Sequence, residues 1–559
     1  MPDPTLRQLA DDYWETYISA NPTSATLLGD RRFDDQIEDI SVETEQRRRA
    51  TYSGYLERLA TIDEAGLDQG DRVTHQMLAE ELGGHVRLID ARVWEMRWDH
   101  QEGVAIGMLS VAPEITAPTP ESAAALVERL RKFPGLLDQA VDRHRHGLAN
   151  GRTPQAIVLE RAANSIANYL ASPLETDSFV TMAGPSGWDS EAAWREDLIG
   201  VTRDAVRPAL QRYHDVLTTE LAAVARPNDR CGLKWIDGGG DLYRTLIRWH
   251  VGPDLDPEEI HRIGLAELNE KLPAEYAEIG RRLFGVDDVE EVFARIRADR
   301  AMYYQSAQEI LDDVKVTLEA GQAAMGDWFG RLPKTDCEVK EVPEHLAPDA
   351  PGAYYYSPAA DGSRPGAYFV NTYEPETKTR YETASVAAHE AIPGHHLQLA
   401  ISIELDNLPK FQRFSERHSA FVEGWGLYAE RLGDEMGLYR SDVDRVGMLM
   451  ADSFRSCRLV VDTGLHELGW SREQAIEFMV TNSPVPREEV VSEIDRYIAM
   501  PAQALSYKLG QLEILRLRRG AEQRLGDRFD IKGFHDTVLG SATISLPVLG
   551  YLVDAWVTT

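Results

Sequence analysis

A histidine followed directly by a glutamate, with two more histidines close behind, is the pattern in this chain with the clearest chemical content: His389-Glu390-Ala391-Ile392-Pro393-Gly394-His395-His396. Imidazoles and carboxylates at short spacing suit a divalent ion such as zinc, and a glutamate beside a ligand is placed to act as a base on a water. The common device is His-Glu-x-x-His on one helix, with its histidines on one face at i and i+4. Here the second histidine arrives two residues late. On a regular helix, position i+6 lies about 240° round and ~9 Å along the axis, so His395 would point away from His389. His396, at i+7, regains the face but sits about 10.5 Å further along. Pro393 makes a regular helix untenable, because its ring clashes with the carbonyl four residues back, and Gly394 allows an unusual turn. A two-residue bulge at Pro393-Gly394 would carry His395 to the place of i+4. The competing explanation is a pair of buried, hydrogen-bonded histidines at a helix break.

A third ligand would have to come from another helix. Residues 411–432 read as the next strong one, and Glu423 interrupts its apolar pattern between Val422 and Gly424. Glu430, one heptad on, lies on a similar face and competes with it; an exposed surface acid is the plainer reading of Glu430.

The elements around these residues are mostly helical. Ala124, Leu126, Leu130, Leu136, Leu137 and Val141 keep to one stripe of a helix over 121–145. Pro257 opens another, with Asp256 as its N-cap. Residues 348–371 differ: two aromatic runs, AYYY and AYFV, flank a segment rich in Gly, Pro, Asp and Ser. That pattern predicts a β-hairpin or a pair of edge strands just before the histidine segment.

Length and composition bound the rest. The 559 residues exceed the roughly 250–300 that one hydrophobic core supports, so two lobes around a cleft are expected. With 43% hydrophobic and 27% charged residues, disorder is not indicated. A formal net charge of −33 argues against nucleic acid and anionic membranes as partners. Cys231, Cys337 and Cys457 form no CxxC pair, the opening residues are acidic where an export signal needs basic and apolar ones, and no apolar run reaches the ~18 residues of a membrane span. These features predict a cytoplasmic protein; oligomeric state is not legible.

The string HEAIPGHHLQ, together with FVEGWGLYAERLG, RLVVDTGLHELGW and YIAMPAQALSYKLGQLEI, resembles the large bacterial family catalogued as domain of unknown function 885, over nearly the full chain. That family is grouped with zinc peptidases of the gluzincin type, relatives of thimet oligopeptidase, carboxypeptidase Taq and angiotensin-converting enzyme. The resemblance implies a mainly α, zincin-like fold with a small β-hairpin or sheet beside the active-site helix and a deep cleft. It implies an N-terminal helical lobe over residues 1–250 and a catalytic lobe over 251–559, with the metal site within 389–423. The family's His-Glu-x-x-Pro-Gly-His pattern falls on His389, Glu390 and His395; the residue after the last histidine varies, which makes His396 the weaker ligand candidate. Phe421-Val422-Glu423 looks like the segment that supplies the glutamate ligand in the thimet oligopeptidase group. The two-residue insertion before His395 is a departure from those relatives.

One zinc per chain held by His389, His395 and Glu423 would keep a fourth position for water and make that water more acidic. Glu390 would be the general base, and Tyr507, in a segment similar to carboxypeptidase Taq, the donor to the developing oxyanion. The resemblance also lays the substrate along residues 353–356 or 367–371, which brings in Tyr354, Tyr355 and Asn371. Arg458, Asp462 and His466 recur at four-residue steps on one helical face. Arg458 would grip a terminal carboxylate or pair structurally with Asp462; His466 and Lys508 are further substrate-binding candidates. The expected activity is hydrolysis of short unstructured peptides. Two rivals remain: a biosynthetic or non-peptide amide hydrolase with the same site, and a non-catalytic peptide binder, which would have no need of Glu390.

Overall fold

A computed structural model of the protein describes residues 3–252, 255–342, 347, 351–358, 364–415 and 417–559. Helices dominate. The sequence-read helix over 121–145 is there, extended to Pro120–Ala149, and opens on a capping box at Thr119 and Ser122. Asp256 caps the helix Pro257–Ala266 by accepting from the backbone N–H groups of Glu258 and Glu259.

The helices that frame the site, in chain order, are α1 (Pro4–Ala20), α2 (Gln69–Asp90), α3 (Val104–Val111), α4 (Gly239–His250), α5 (Ala307–Trp328), α6 (Arg380–Glu390), α7 (His395–Glu404), α8 (Ser419–Glu435), α9 (Asp442–Thr463), α10 (Arg487–Ala499) and α11 (Ser506–Leu525). The single helix expected over 411–432 is instead a short turn, Lys410–Arg413, followed by α8. The break falls where His418 takes a left-handed backbone conformation, with φ 36°, immediately before α8.

The expected hairpin exists as β2 (Ala353–Tyr356) antiparallel to β3 (Gly366–Val370). Residues 348–350 and 359–363 of that stretch lie outside the described residues. An unforeseen strand, β1 (Cys337–Glu341), pairs with β3 in parallel, giving the order β1-β3-β2. β3 is therefore the central strand, not an edge, and residues 367–370 have both backbone edges occupied. Only β2 of the two aromatic runs remains an edge strand. A small core of Tyr304, Ile310, Val314, Tyr368, Val370, Ala387 and Ala391 fastens the sheet and α5 to α6.

Two large cores fill the rest. One unites α1, α2, α4 and α8 with the C-terminal helices; the other unites residues 98–231 with parts of α9 and α10. Each draws on residues from both sides of position 250. No helix among the described residues is long and apolar enough to cross a membrane, and the three cysteines are unpaired.

Candidate metal centre

Four residues reconcile the long histidine spacing with a shared site. α6 ends at Glu390, the chain turns through Ala391, Ile392, Pro393 and Gly394, and α7 begins at His395. The interruption is a full helix break with a restart, larger than the two-residue bulge expected. Gly394 is required there: a Cβ at this position would lie 1.8 Å from the carbonyl oxygen of His389. The turn sets the rings of His389 and His395 4.7 Å apart and nearly perpendicular.

α8 delivers Glu423 to the same point. Its Oε2 lies 3.6 Å from Nε2 of His389 and 3.5 Å from Nε2 of His395. One donor atom from each of the three residues falls within 4.8 Å of the others. Two ligands at ~2.1 Å from a tetrahedral ion are roughly 3.4 Å apart, so the observed separations suit zinc. The electrostatics agree. Burial disfavours charge on Glu423, but the two imidazoles outweigh it and hold the carboxyl well below its usual range. Burial likewise opposes charge on His389, yet Glu423, Glu430 and Glu390 raise its pKa to about 9. The field of the site favours an added positive charge.

His396 belongs elsewhere. Its Nδ1 meets the Tyr355 hydroxyl at 3.0 Å and its Nε2 meets the carbonyl of Thr335 at 3.0 Å. Both nitrogens are occupied, so this histidine ties β2 and the segment before β1 to α7.

Glu390 is half-buried at the end of α6, and its charge adds to burial in raising the pKa of Tyr368 on β3. Tyr507, on the first turn of α11, stacks over His389 with ring centroids 6.5 Å apart. Burial and then Glu423 raise the pKa of its phenol, against Arg458, Arg496 and Arg455, so it stays a proton donor at neutral pH.

The other sequence-read residues divide. Arg458 sits 4.4 Å over the Tyr507 ring and 4.6 Å over Phe454. Its Nε donates to the Tyr497 hydroxyl at 2.8 Å and an Nη to Glu493 at 3.0 Å, so its ion pair is with Glu493 and not with Asp462. Asp462 instead accepts from the Tyr243 hydroxyl and the backbone N–H of Ala502. His466 is fully buried, accepting from the N–H of Leu233 at 3.1 Å and donating to the carbonyl of Tyr497 at 3.0 Å. Lys508 is buried, donates to Asp452 and Gln511, and pairs with Glu267 at 3.0 Å. Asn371 donates to the carbonyls of Ala347 and Pro351. His466, Lys508 and Asn371 are thus spent on internal contacts. Tyr354 stacks on Phe369 at 4.9 Å, and Tyr355, on the opposite face of β2, is the one that reaches α7.

A family model described as "Bacterial protein of unknown function (DUF885)" matches residues 22–553. The chain belongs to the DUF885 family. Among solved structures, it is similar to one described as a "putative lipoprotein" from Colwellia psychrerythraea, with 28% identity and a TM-score of 0.91 over 99% of both chains. It also resembles a "putative lipoprotein of unknown function" from Shewanella oneidensis, with 18% identity and a TM-score of 0.75 over 98% of this chain and 99% of that one. No curated protein matches it.

This DUF885 member sets Glu430, the competing ligand candidate, and two glycines that the sequence analysis did not single out around the His389 ring and the crossing of α8 with α11. Glu430 is not an exposed acid: it is 2% exposed, and its Oε1 lies 2.8 Å from Nδ1 of His389. Its other oxygen accepts from Ser385 at 2.7 Å. Gly426 faces the His389 ring, where a Cβ would come within 2.6 Å of it. Gly424 meets Gly510 where α8 crosses α11; a Cβ on Gly424 would lie 2.5 Å from the Gly510 backbone. That crossing brings Tyr507 beside Glu423. The heptad relation of Glu423 to Glu430, and the glycines around Trp425, were the available signals.

Proposed function

We propose that this protein is a zinc-dependent hydrolase of the gluzincin type that cleaves short peptides. The observation that carries the reading is the convergence of His389, His395 and Glu423 from three helices, with Glu390 adjoining the first ligand. One zinc ion per chain would be held by those three residues and would supply Lewis-acid polarisation at the scissile carbonyl and its attacking water. Glu390 accepts the proton of that water and returns it to the leaving nitrogen. Tyr507 donates its phenolic hydrogen to the oxygen that gathers charge as the carbonyl becomes tetrahedral. Glu430 fixes the His389 tautomer and ring plane, which is the usual role of an outer carboxylate at a metal-ligating imidazole. Arg458, packed on the Tyr507 ring, sets where that phenol stands.

For the compartment, the descriptions of both solved neighbours favour a membrane-anchored or exported protein. They weigh against the cytoplasmic expectation drawn from the cysteines and the opening residues. Cell fractionation separates the two.

The deciding experiment combines metal analysis with mass spectrometry of a mixed peptide digest, for wild type and Glu390→Gln. The expected result is one zinc in each protein, cleavage by wild type, and a rate lower by about 10²–10⁴-fold in the variant. Cleavage by Glu390→Gln at the wild-type rate would refute the assignment. Zinc in both proteins with no peptide cut would move the substrate to a non-peptide amide.

A further inference from the structure

A cavity of about 720 Å³ lies between the N-terminal helices and the start of α8, and none of the candidate metal ligands lines it. Ligand sites for compact molecules run roughly 300–1,000 Å³, so the space suits a few peptide residues. It adjoins the proposed centre at two places. Ser419, on its wall, is the first residue of α8, one turn before Glu423 and so about 6 Å along the axis from it. Met500 and Pro501, also on the wall, precede the turn that leads into Tyr507.

The lining is aromatic. Trp14 stacks on Tyr17 with centroids 5.8 Å apart and meets Phe414 at 5.9 Å. Trp98 and Trp249 stand on other parts of the wall, the latter with the Arg417 guanidinium 4.3 Å over its ring. Most of the charged groups on the lining are paired with one another. Glu81 meets Arg417 at 3.3 Å and the Tyr13 hydroxyl at 3.1 Å. Glu102 pairs with Arg97 at 3.6 Å, and Asp99 accepts from three backbone N–H groups of residues 101–103. His250, its pKa lowered to about 4 by burial and then by Arg417, is neutral. Glu81, Arg417, Glu102 and Arg97 have their counter-charges within the protein, whereas an uncharged ring or a large aliphatic group meets stacking surfaces.

We propose that this cavity binds an uncharged aromatic or large apolar side chain of the substrate, about two residues from the bond that is cut. The inference rests on the peptidase reading for the nature of the ligand. The interval follows from the ~6 Å step between Ser419 and Glu423 and the ~3.4 Å advance per residue of an extended chain.

Gly107 offers a clean test. It lies on the cavity wall within α3, and a Cβ there would meet nothing closer than the Glu102 carbonyl at 3.9 Å. Gly107→Phe therefore fills the space without a clash at its base, and Gly107→Ala leaves it open. The probes are acetyl-Ala-Phe-Ala-Ala-amide and its Ala, Lys and Glu counterparts, titrated into zinc-loaded Glu390→Gln protein by calorimetry. The Phe peptide should bind at least tenfold more tightly than the other three. Gly107→Phe in the same background should lose that preference with its melting temperature held or raised, and Gly107→Ala should keep it. Equal binding of the Phe and Lys peptides, or full Phe preference in Gly107→Phe, would overturn the proposal. Phe-selective binding with no cleavage by wild type would support the cavity and sink the peptidase reading. Cleavage without any selectivity would do the reverse.

Discussion

His389 and Glu430 are joined by a 2.8 Å contact between Nδ1 and Oε1. A carboxylate only accepts, so the imidazole keeps a hydrogen on Nδ1, and Nε2, facing Glu423 and His395, is the nitrogen that gives up its proton when a metal ion binds. Ser385 donates to the second Glu430 oxygen, so the carboxylate is held at both oxygens, and the Tyr439 hydroxyl donates to the Glu430 backbone carbonyl. Losing such an outer partner costs roughly 10–100-fold in metal affinity. Glu430→Gln should bind zinc that much more weakly in a competition titration with a chromophoric chelator. Glu423→Ala should lose the ion outright, and His396→Ala should keep it. Unchanged affinity in Glu430→Gln would show that His389 holds its orientation without this bond.

The glycines of α8 make a separable pair. A methyl at Gly426 would press on the His389 ring, whereas one at Gly424 would press on the backbone of α11. Overpacking of this kind costs about 1–3 kcal/mol. Gly426→Ala should lose zinc affinity more than it loses stability, because a side chain can swing aside. Gly424→Ala should lose stability first, because two helix backbones must separate. Thermal melts of the metal-free proteins beside zinc titrations read both quantities, and the opposite ranking would refute the assignment of the two contacts.

What the sequence made legible follows the reach of each signal. Helix periodicity and N-caps such as Asp256 act locally, so they survive in the fold. The aromatic runs gave β2 and β3, but β1 is a five-residue strand, CEVKE, whose alternation of Cys337 and Val339 with charged residues is too short to mark it. Its absence from the reading left β3 as an edge strand when it is central. The residues grouped as metal ligands do converge, because the turn at Pro393-Gly394 is written in the chain. The fate of Lys508, His466 and Asn371 was hidden, since their partners lie far away in sequence. Lys508 pairs with Glu267, and His466 meets Leu233. Arg458 kept its place near the site, but its carboxylate is Glu493, on a different helix from the Asp462 that four-residue spacing suggested.

Tyr507 is expected to act only once charge develops on the substrate oxygen. Its raised pKa keeps the hydrogen in place at neutral pH, and its ring is held between His389 and Arg458. One donor of this kind is worth roughly 2.7–4 kcal/mol, or about 10²–10³ in rate. Tyr507→Phe should therefore lower kcat by that factor with KM nearly unchanged, measured on any peptide the wild type cuts. A raised KM with kcat intact would make Tyr507 a substrate-binding residue.

Asp462 links pH to the same region. It is fully buried, and desolvation raises its carboxyl from 3.8 to about 7, against hydrogen bonds from Tyr243 and Ala502 that favour the charged form. The bond to Ala502 anchors the left-handed turn from which the chain enters α11 and Tyr507. Because the folded pKa lies above the unfolded one, the folded protein keeps a proton that the unfolded chain releases across this interval. The associated stability is complete below about pH 4, declines as pH rises, and is gone above about pH 7. An asparagine at this position does not titrate. The stability of wild type relative to Asp462→Asn should thus fall by an amount on the order of a few kcal/mol from about pH 4.5 to about pH 7.5. Urea unfolding of both proteins at several pH values across that window measures it, and taking the difference cancels the other groups that titrate there. A difference that stays flat would mean that the Asp462 carboxyl is ionised throughout, held by Tyr243 and Ala502 more strongly than burial opposes it.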